Sequence, residues 1–395
     1  MTEQELQQLT ADRPNNDTEL FDWNAFYGYN RAMKRFAGLP ADHPSKYVLE
    51  HGAGLAGKRI GDHERDSTLP AMLSISSSRF DALRSLTNKA LFSVGNYIYY
   101  ADHALSEAGI AAERKRLGRN LLVFPSHSTH HVDAEYSVAD LCDHLEKVGR
   151  DFDALRICLY WKDIRRGLHT HFAARGFECL TAGHMFDPQF VGRLKSLLAT
   201  ADCTLANNVG SSLAFSLAME RPHSIYLQNL EFRAHNRDEE QKHRNFGDPG
   251  WQRTDYFRQV RELFCTEPTG TISAAQRAFG ERYCGVGEQK TASELREIFD
   301  LTEDMYRRGG HFARKSKKIM ALHCVELLNE HRDAEAGILL REARKVYPSD
   351  SGFIFAAAFC LARRGRKADA LETIRSHAAV GPASLRLLQN ELEAA

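Results

Sequence analysis

The sequence predicts an α/β protein, with a parallel-sheet domain behind a smaller α/β segment and an all-α tail at the end. Three observations predict this. Between residues 120 and 229, short apolar runs alternate with segments of helical length. Before residue 118, shorter apolar stretches end in Gly, Ser or Tyr. Near the end, Pro348 and Pro382 lie 34 residues apart in equivalent surroundings.

Residues 1–20 are polar and read as a tail, and a helix is expected over 23–38. "KYVLEHGAG", "AMLSISSS" and "ALFSVGNYIYY" each read as a strand running into a loop. "LSEAGIAAERKRLGRN" is a helical link to the second domain. Then come "NLLVFPS" and "SVADLCDHLEKVGR", "ALRICLYW" and "IRRGLHTHFAARG", "FECLTAG" and "PQFVGRLKSLLATA", "CTLANNVG" and "SSLAFSLAME", and a fifth strand, "HSIYLQN". Strands alternating with helices of about 10–15 residues imply βαβ units and a parallel sheet, with right-handed crossovers placing helices on its faces. The charge-dense run 231–251 reads as a solvated loop. In the last part, Ala336, Leu340 and Ala343 correspond to Ala370, Ile374 and His377, the last departing from the small residue expected there, and Met320, Cys324 and Leu327 to Ile354, Ala358 and Leu361. Small residues at this period let two antiparallel helices approach, as in a tetratricopeptide repeat. The expected domains are therefore a tail (1–20), an N-terminal acceptor-side α/β domain (21–118), a C-terminal donor-side domain (119–290), a connecting helix (291–314) and helical repeats (315–395).

The totals bound the function. With 395 residues the chain has room for two or three domains. Lys+Arg and Asp+Glu both number 52, so the formal charge is zero, which argues against a dedicated nucleic-acid binder. No apolar run nears the roughly 20 residues needed to span a bilayer, and the polar, acidic N-terminus has no secretory pattern. The eight cysteines form no CxxC pair, so reduced thiols in a cytoplasmic protein are expected, with peripheral attachment to the inner face of the membrane as a further possibility.

In open parallel sheets, ligands bind beyond the carboxyl ends of the strands. All five such rims are polar: Ser126-His127-Ser128-Thr129-His130-His131, then Trp161-Lys162-Asp163, then Gly183-His184 with Asp187, then Asn207 to Ser212, then Gln228-Asn229. Five in register point to a lined cleft. Gly210 admits a ligand close to the backbone, and Ser211 and Ser212 open a helix whose free N–H groups and dipole favour phosphate. Capping alone would also explain Ser211; the neighbouring His127, Lys162 and His184 favour a phosphate site. Three histidines in one loop raise the question of zinc, but no HExxH-type motif accompanies them, and one functional histidine with two surface ones is the simpler reading. His51, at the end of the first strand, is the candidate general base; a turn histidine is the alternative. Arg79, Tyr97 and Asp102 are candidates for holding an acceptor.

"VLEHG", "VFPSHSTHH", "CLYWKD", "LTAGHMFDPQFVGRLKSLL" and "NNVGSSLAFSLAMERPHSIY" together resemble the GT-B glycosyltransferases of bacterial capsule and O-antigen clusters. The resemblance implies two Rossmann-like domains facing a cleft. It implies a nucleotide-sugar donor, CMP- or UDP-linked, held by Ser126, His127, Ser128, Lys162, Gly183, His184, Gly210, Ser211 and Ser212. A glycan or lipid-linked acceptor would approach from the side of His51. No metal and no other cofactor is implied, and the helical repeats would be free to bind a protein partner. The sequence departs from the family in its short first domain and in Ser216, where many members carry a ribose-binding Glu. A sugar-nucleotide epimerase on the same fold, a non-catalytic repeat scaffold and a zinc hydrolase are the alternatives.

Overall fold

The computed structural model describes residues 1–15, 18–50, 60–129, 132–234, 254–307, 324–325, 327–346, 350–376 and 383–394. The chain divides into two compact units, Met1–Arg59 with Ala71–Glu303, and Ile60–Pro70 with Asp304–Ala395.

The larger unit is mixed α/β with two parallel sheets. Residues 1–20, expected as a tail, contain helix α1 (Glu3–Thr10). Thr2 and Glu5 form a reciprocal capping box at its start, which satisfies two of the helix's orphan donors. The helix expected over 23–38 is split. A 3-10 segment, Asp22–Gly28, ends where Tyr27 (φ 59°) and Gly28 (φ 68°) turn left-handed, and α2 (Tyr29–Phe36) comes next. Gly28 is required there, because a Cβ would lie 2.4 Å from the Pro188 carbonyl oxygen.

The first sheet has three parallel strands in sequence order: β1 (Tyr47–Leu49), β2 (Ala71–Ser74) and β3 (Ala90–Ser93). The third is shorter than expected, because Tyr97–Tyr100 form a 3-10 turn. Helix α3 (Glu107–Leu117) leads to β4 (Asn120–Phe124). After the short β5 (Val132–Glu135) come α4 (Val138–Val148), β6 (Ala154–Cys158), α5 (Trp161–Arg165), α6 (Leu168–Ala173) and β7 (Glu178–Leu180). Next are α7 (Phe190–Ala199), β8 (Cys203–Ala206), α8 (Ser211–Ala218), β9 (His223–Ile225) and β10 (Glu231–Ala234). Helices α9 (Asp255–Phe264) and α10 (Ala274–Tyr283) and the part of α11 (Ala292–Arg307) up to Glu303 complete it.

The second sheet is five-stranded, ordered β7-β6-β4-β8-β9, and every pair is parallel. Its strands read as continuous apolar runs because both faces are covered. Leu121 and Val123 of β4 pack with Leu141 and Leu145 of α4 and Phe172 of α6. Leu122 between them points to the other face, toward Leu194 and Leu198 of α7 and Leu213 and Phe215 of α8. That second cluster also contains Tyr47, Leu49, Leu73 and Ile75 of the first sheet. The regions expected as separate domains, 21–118 and 119–290, thus share one continuous core.

His223 is a buried titratable group in this core. Its Nδ1 lies 2.8 Å from the Thr204 hydroxyl, and its Nε2 has no hydrogen-bond partner among the described residues. Burial pushes its pKa down to about 3. The unfolded chain therefore takes up a proton below about pH 6.5 that the folded chain refuses, so stability falls as pH drops through that window. Between pH 7 and 4.5 this one group is expected to cost about 2–3 kcal/mol. Urea unfolding of the parent and of His223→Gln at both pH values checks this; equal pH dependence in the two proteins would refute it.

In the smaller unit, α12 (Asp333–Val346), α13 (Ser351–Arg363), α14 (Lys367–Arg375) and α15 (Ala383–Ala394) pack through Ala336, Leu340, Ala343 and Phe353 in one cluster and Ile354, Ala358, Ala370 and Ile374 in the next. Met320 and His377 lie outside the described residues. Among the described residues, no helix is long and apolar enough to cross a membrane. All eight cysteines are free, and Cys265 is exposed.

Candidate functional site

The strand order of the large sheet reverses at β4. The chain moves outward to β6 and β7 on one side, then returns to β8 and β9 on the other. The crevice beyond β4 and β8 is the topological switch point, where an open parallel sheet offers its ligand site. The loops from these two strands meet there, with the Ser126 N–H donating to Asn207 Oδ1 at 2.6 Å. The Asn207 amide in turn donates to Gln228 Oε1 at 2.9 Å, tying in the rim of β9. Beyond this linkage, Ser126 and Asn208 to Ser212 are half-buried and His127 is exposed.

Gly210 is the N-cap of α8, in extended backbone (φ −158°, ψ −177°). A Cβ at Gly210 would meet nothing within 4 Å, so its value is open space beside the helix N-terminus rather than left-handed freedom. Ser211 and Ser212 form the first turn beside that space. In the loop after β4, the His127 ring lies on Tyr160 with centroids 4.4 Å apart, and its Nδ1 is 3.2 Å from the Ser128 carbonyl oxygen. When Nδ1 carries the proton for that bond, Nε2 is the nitrogen left to meet a ligand.

The other predicted donor residues have structural partners. Ser128 is fully buried; its N–H donates to the Asp163 carboxylate, and its hydroxyl accepts from Arg166 at 2.9 Å. Asp163, which its place in the sequence assigns only to a rim, is the anchor of this loop. Burial raises its pKa, while the Ser128 hydrogen bonds and the charge of His127 oppose that rise. Lys162 donates Nζ to the Thr129 carbonyl, bracing the same loop. Gly183 is in left-handed backbone (φ +105°) against Arg193. His184 is buried; its N–H donates to the Leu9 carbonyl of α1, and its Nδ1 accepts from the Phe186 N–H. The docked N-terminal helix therefore covers the rim of β7. It is fixed also by Glu3 to His169 at 2.9 Å and by the terminal amine to Glu178 at 3.1 Å. Of the predicted donor set, Ser126, Gly210, Ser211 and Ser212 are half-buried and His127 is exposed.

The expected acceptor residues do not form a second open face. Arg79 is buried and its guanidinium grips Glu50, at 2.7 Å from Nε. Tyr97 is buried and donates to the Glu50 carbonyl at 3.0 Å. Both hold the end of β1 in place. Asp102 is exposed and pairs with Arg35 at 3.2 Å. His51, His130 and His131 lie outside the described residues. Ser216 is buried and accepts from the Thr204 hydroxyl, and Glu220 sits at the far end of α8 from Gly210. Among the described residues, no group of three His, Cys, Asp or Glu side chains is arranged to hold a metal ion.

The strands β5 and β10 extend the rims of β4 and β9 and pair antiparallel with each other, Phe232 opposite Ala134 and Arg233 opposite Asp133.

No protein-family model matches the chain, and no curated protein matches it. Among solved structures, a form of the wall teichoic acid polymerase TagF soaked with CDPG is similar at 12% identity and a TM-score of 0.37, over 62% of this chain and 60% of that one. A second TagF structure is similar at 13% identity and a TM-score of 0.36, over 66% of this chain and 68% of that one.

Proposed function

We propose that the protein is a glycosyltransferase that moves a sugar from a nucleotide-sugar to a glycan or lipid-linked acceptor in surface-polysaccharide synthesis. The observation that carries this reading is the switch point itself, where the Ser126–Asn207 hydrogen bond joins the loops of β4 and β8 three residues before Gly210, Ser211 and Ser212 open a helix. Amides and hydroxyls at such an end suit a phosphate that gains charge as it leaves. In the reaction, an acceptor hydroxyl oxygen attacks the anomeric carbon. The bond from that carbon to the donor's phosphate oxygen breaks, and the nucleotide departs with the electron pair. His51 is assigned the hydroxyl proton, and the helix end and His127 stabilise the departing phosphate. The donor is a CMP- or UDP-sugar and the chemistry uses no metal. The helices of the smaller unit are assigned as tetratricopeptide-like repeats that bind a protein partner.

A ligand that prefers the native state raises its apparent stability, by about 2.7 kcal/mol at a hundred times its Kd. In a thermal-shift screen of CMP, UDP, GDP and dTDP, one nucleotide is expected to raise the midpoint clearly above the rest. If none does, the donor site is lost and with it the proposal. Product analysis with and without acceptor then separates transfer from epimerisation.

A further inference from the structure

A cavity on the same unit is lined by residues of the N-terminal segment and of the loop after β7. Its volume is about 570 Å³, within the range of small-molecule sites. Its apolar wall includes Phe186 and Pro188, from the loop after β7, and its polar rim includes Arg13, Arg31, Thr18 and Asp42.

Among the described residues, the charges around this rim are unbalanced. Asp187 is buried between two guanidiniums, Arg193 at 2.5 Å and Arg13 at 3.2 Å. One carboxylate thus faces two cations. Arg31 is exposed and makes no hydrogen bond or ion pair among the described residues. Asp42, the other acid on the rim, also forms no ion pair among them. Among the described residues, Arg31 is therefore a positive charge without a partner, at a concave site with an aromatic wall. A guanidinium is rigid, permanently charged and shaped to take a carboxylate or phosphate through two N–H bonds.

We infer that this cavity binds a sugar residue bearing a single anionic group, a carboxylate or a phosphate. The anion meets Arg31 and Arg13, the C–H face of the ring lies on Phe186, and ring hydroxyls reach Thr18 and Asp42. Position supports the assignment. Phe186 lies in the loop after β7, which stands two strands from β4 in the same sheet. Aromatic side chains occupy the interval: Phe186 is 5.5 Å from Phe26, Tyr27 is 6.4 Å from Tyr160, and Tyr160 carries His127. That the ligand is a sugar, an acceptor residue distal to the reacting one, rests on the glycosyl-transfer reading. The preference for an anion rests on the arginines alone.

The test is direct binding without any nucleotide, so that it is independent of turnover. Saturation-transfer NMR and calorimetry would compare glucuronic acid, glucose 6-phosphate, methyl glucoside and inorganic phosphate on the full chain. At least one anionic sugar is expected to bind, ten-fold or more tighter than methyl glucoside. Arg31→Ala and Phe186→Ala should each weaken it at least ten-fold. Arg31 is exposed, so an unchanged unfolding midpoint in Arg31→Ala shows that the fold is intact. Arg31→Lys, which keeps the charge but loses the fork, should fall between the two. Absence of binding at 10 mM on the order of a weak site's Kd, equal binding of methyl glucoside, or indifference to Arg31→Ala each overturns the inference. Tight binding of inorganic phosphate with no gain from the sugar overturns the sugar assignment. A nucleotide screen that fails while anionic sugars still bind would remove the transferase and leave this site standing.

Discussion

Replacing Glu19 with leucine is expected to lower the stability of the larger unit by about 3–5 kcal/mol, the usual cost of leaving a buried charge without its partner. Lys34 and Glu19 are each 1% exposed at the side chain, and Nζ lies 2.5 Å from Oε1. The carboxylate also accepts from the Asn30 amide at 2.7 Å and the Ser45 N–H at 3.0 Å. Without it, the ammonium keeps the His43 carbonyl, at 2.9 Å, as its acceptor. Asn30 loses less, since its amide also meets the Ser45 hydroxyl at 2.8 Å and its oxygen accepts from Tyr47. The asymmetry predicts that Glu19→Leu is the worse single change, and that adding Lys34→Met restores much of the loss by removing the stranded charge. Urea unfolding of the two singles and the double measures this. A cost below about 1 kcal/mol for Glu19→Leu, the range of exposed pairs, would mean that water reaches the site. The network ties residues 19 and 45 to α2, and so fixes the Thr18 and Ala41–Asp42 walls of the arginine-rimmed cavity.

The large sheet was legible because its strands are covered on both faces, which turns each into an apolar run bounded by polar rims. Leu121, Leu122 and Val123 are all buried although they point to alternate faces. The rims were legible as a group, but not individually. Ser128, Gly183 and His184 look like ligand-binding residues in the sequence and are structural in the fold. Their partners, Asp163, Arg193 and Leu9, come from other rims or from the N-terminus, and no local pattern announces such pairings. Arg79 is the same case, since its carboxylate partner lies 29 residues earlier. The N-terminal helix did carry a local signal, Thr2 with Glu5 three residues later, a capping pattern hidden in a segment whose polarity suggested a tail. What such a pattern does not reveal is where the helix docks. That is decided by Leu6 in the core and by Leu9 meeting His184.

Gly210 offers a way to disable the proposed donor site without disturbing the fold. Its backbone is extended, a conformation open to any residue, and a Cβ there meets nothing within 4 Å. Aspartate is a favoured N-cap and glycine only slightly less so, so Gly210→Asp should shift stability by no more than a few tenths of a kcal/mol, in the favourable direction. Its carboxylate, however, would accept from the same first-turn amides that are assigned to the phosphate. Two like charges about 4 Å apart repel by about 4 kcal/mol at an effective dielectric of 20. Nucleotide affinity should therefore fall by roughly 100-fold or more. Gly210→Asn supplies the same cap and nearly the same bulk without the charge, and should lose far less. Measured by the thermal shift that each variant retains with the nucleotide stabilising the parent, the order should be parent, Asn, Asp. Equal shifts in all three would place the nucleotide elsewhere than the end of α8. A lowered ligand-free midpoint in both variants would mean that the space beside Gly210 is filled in solution.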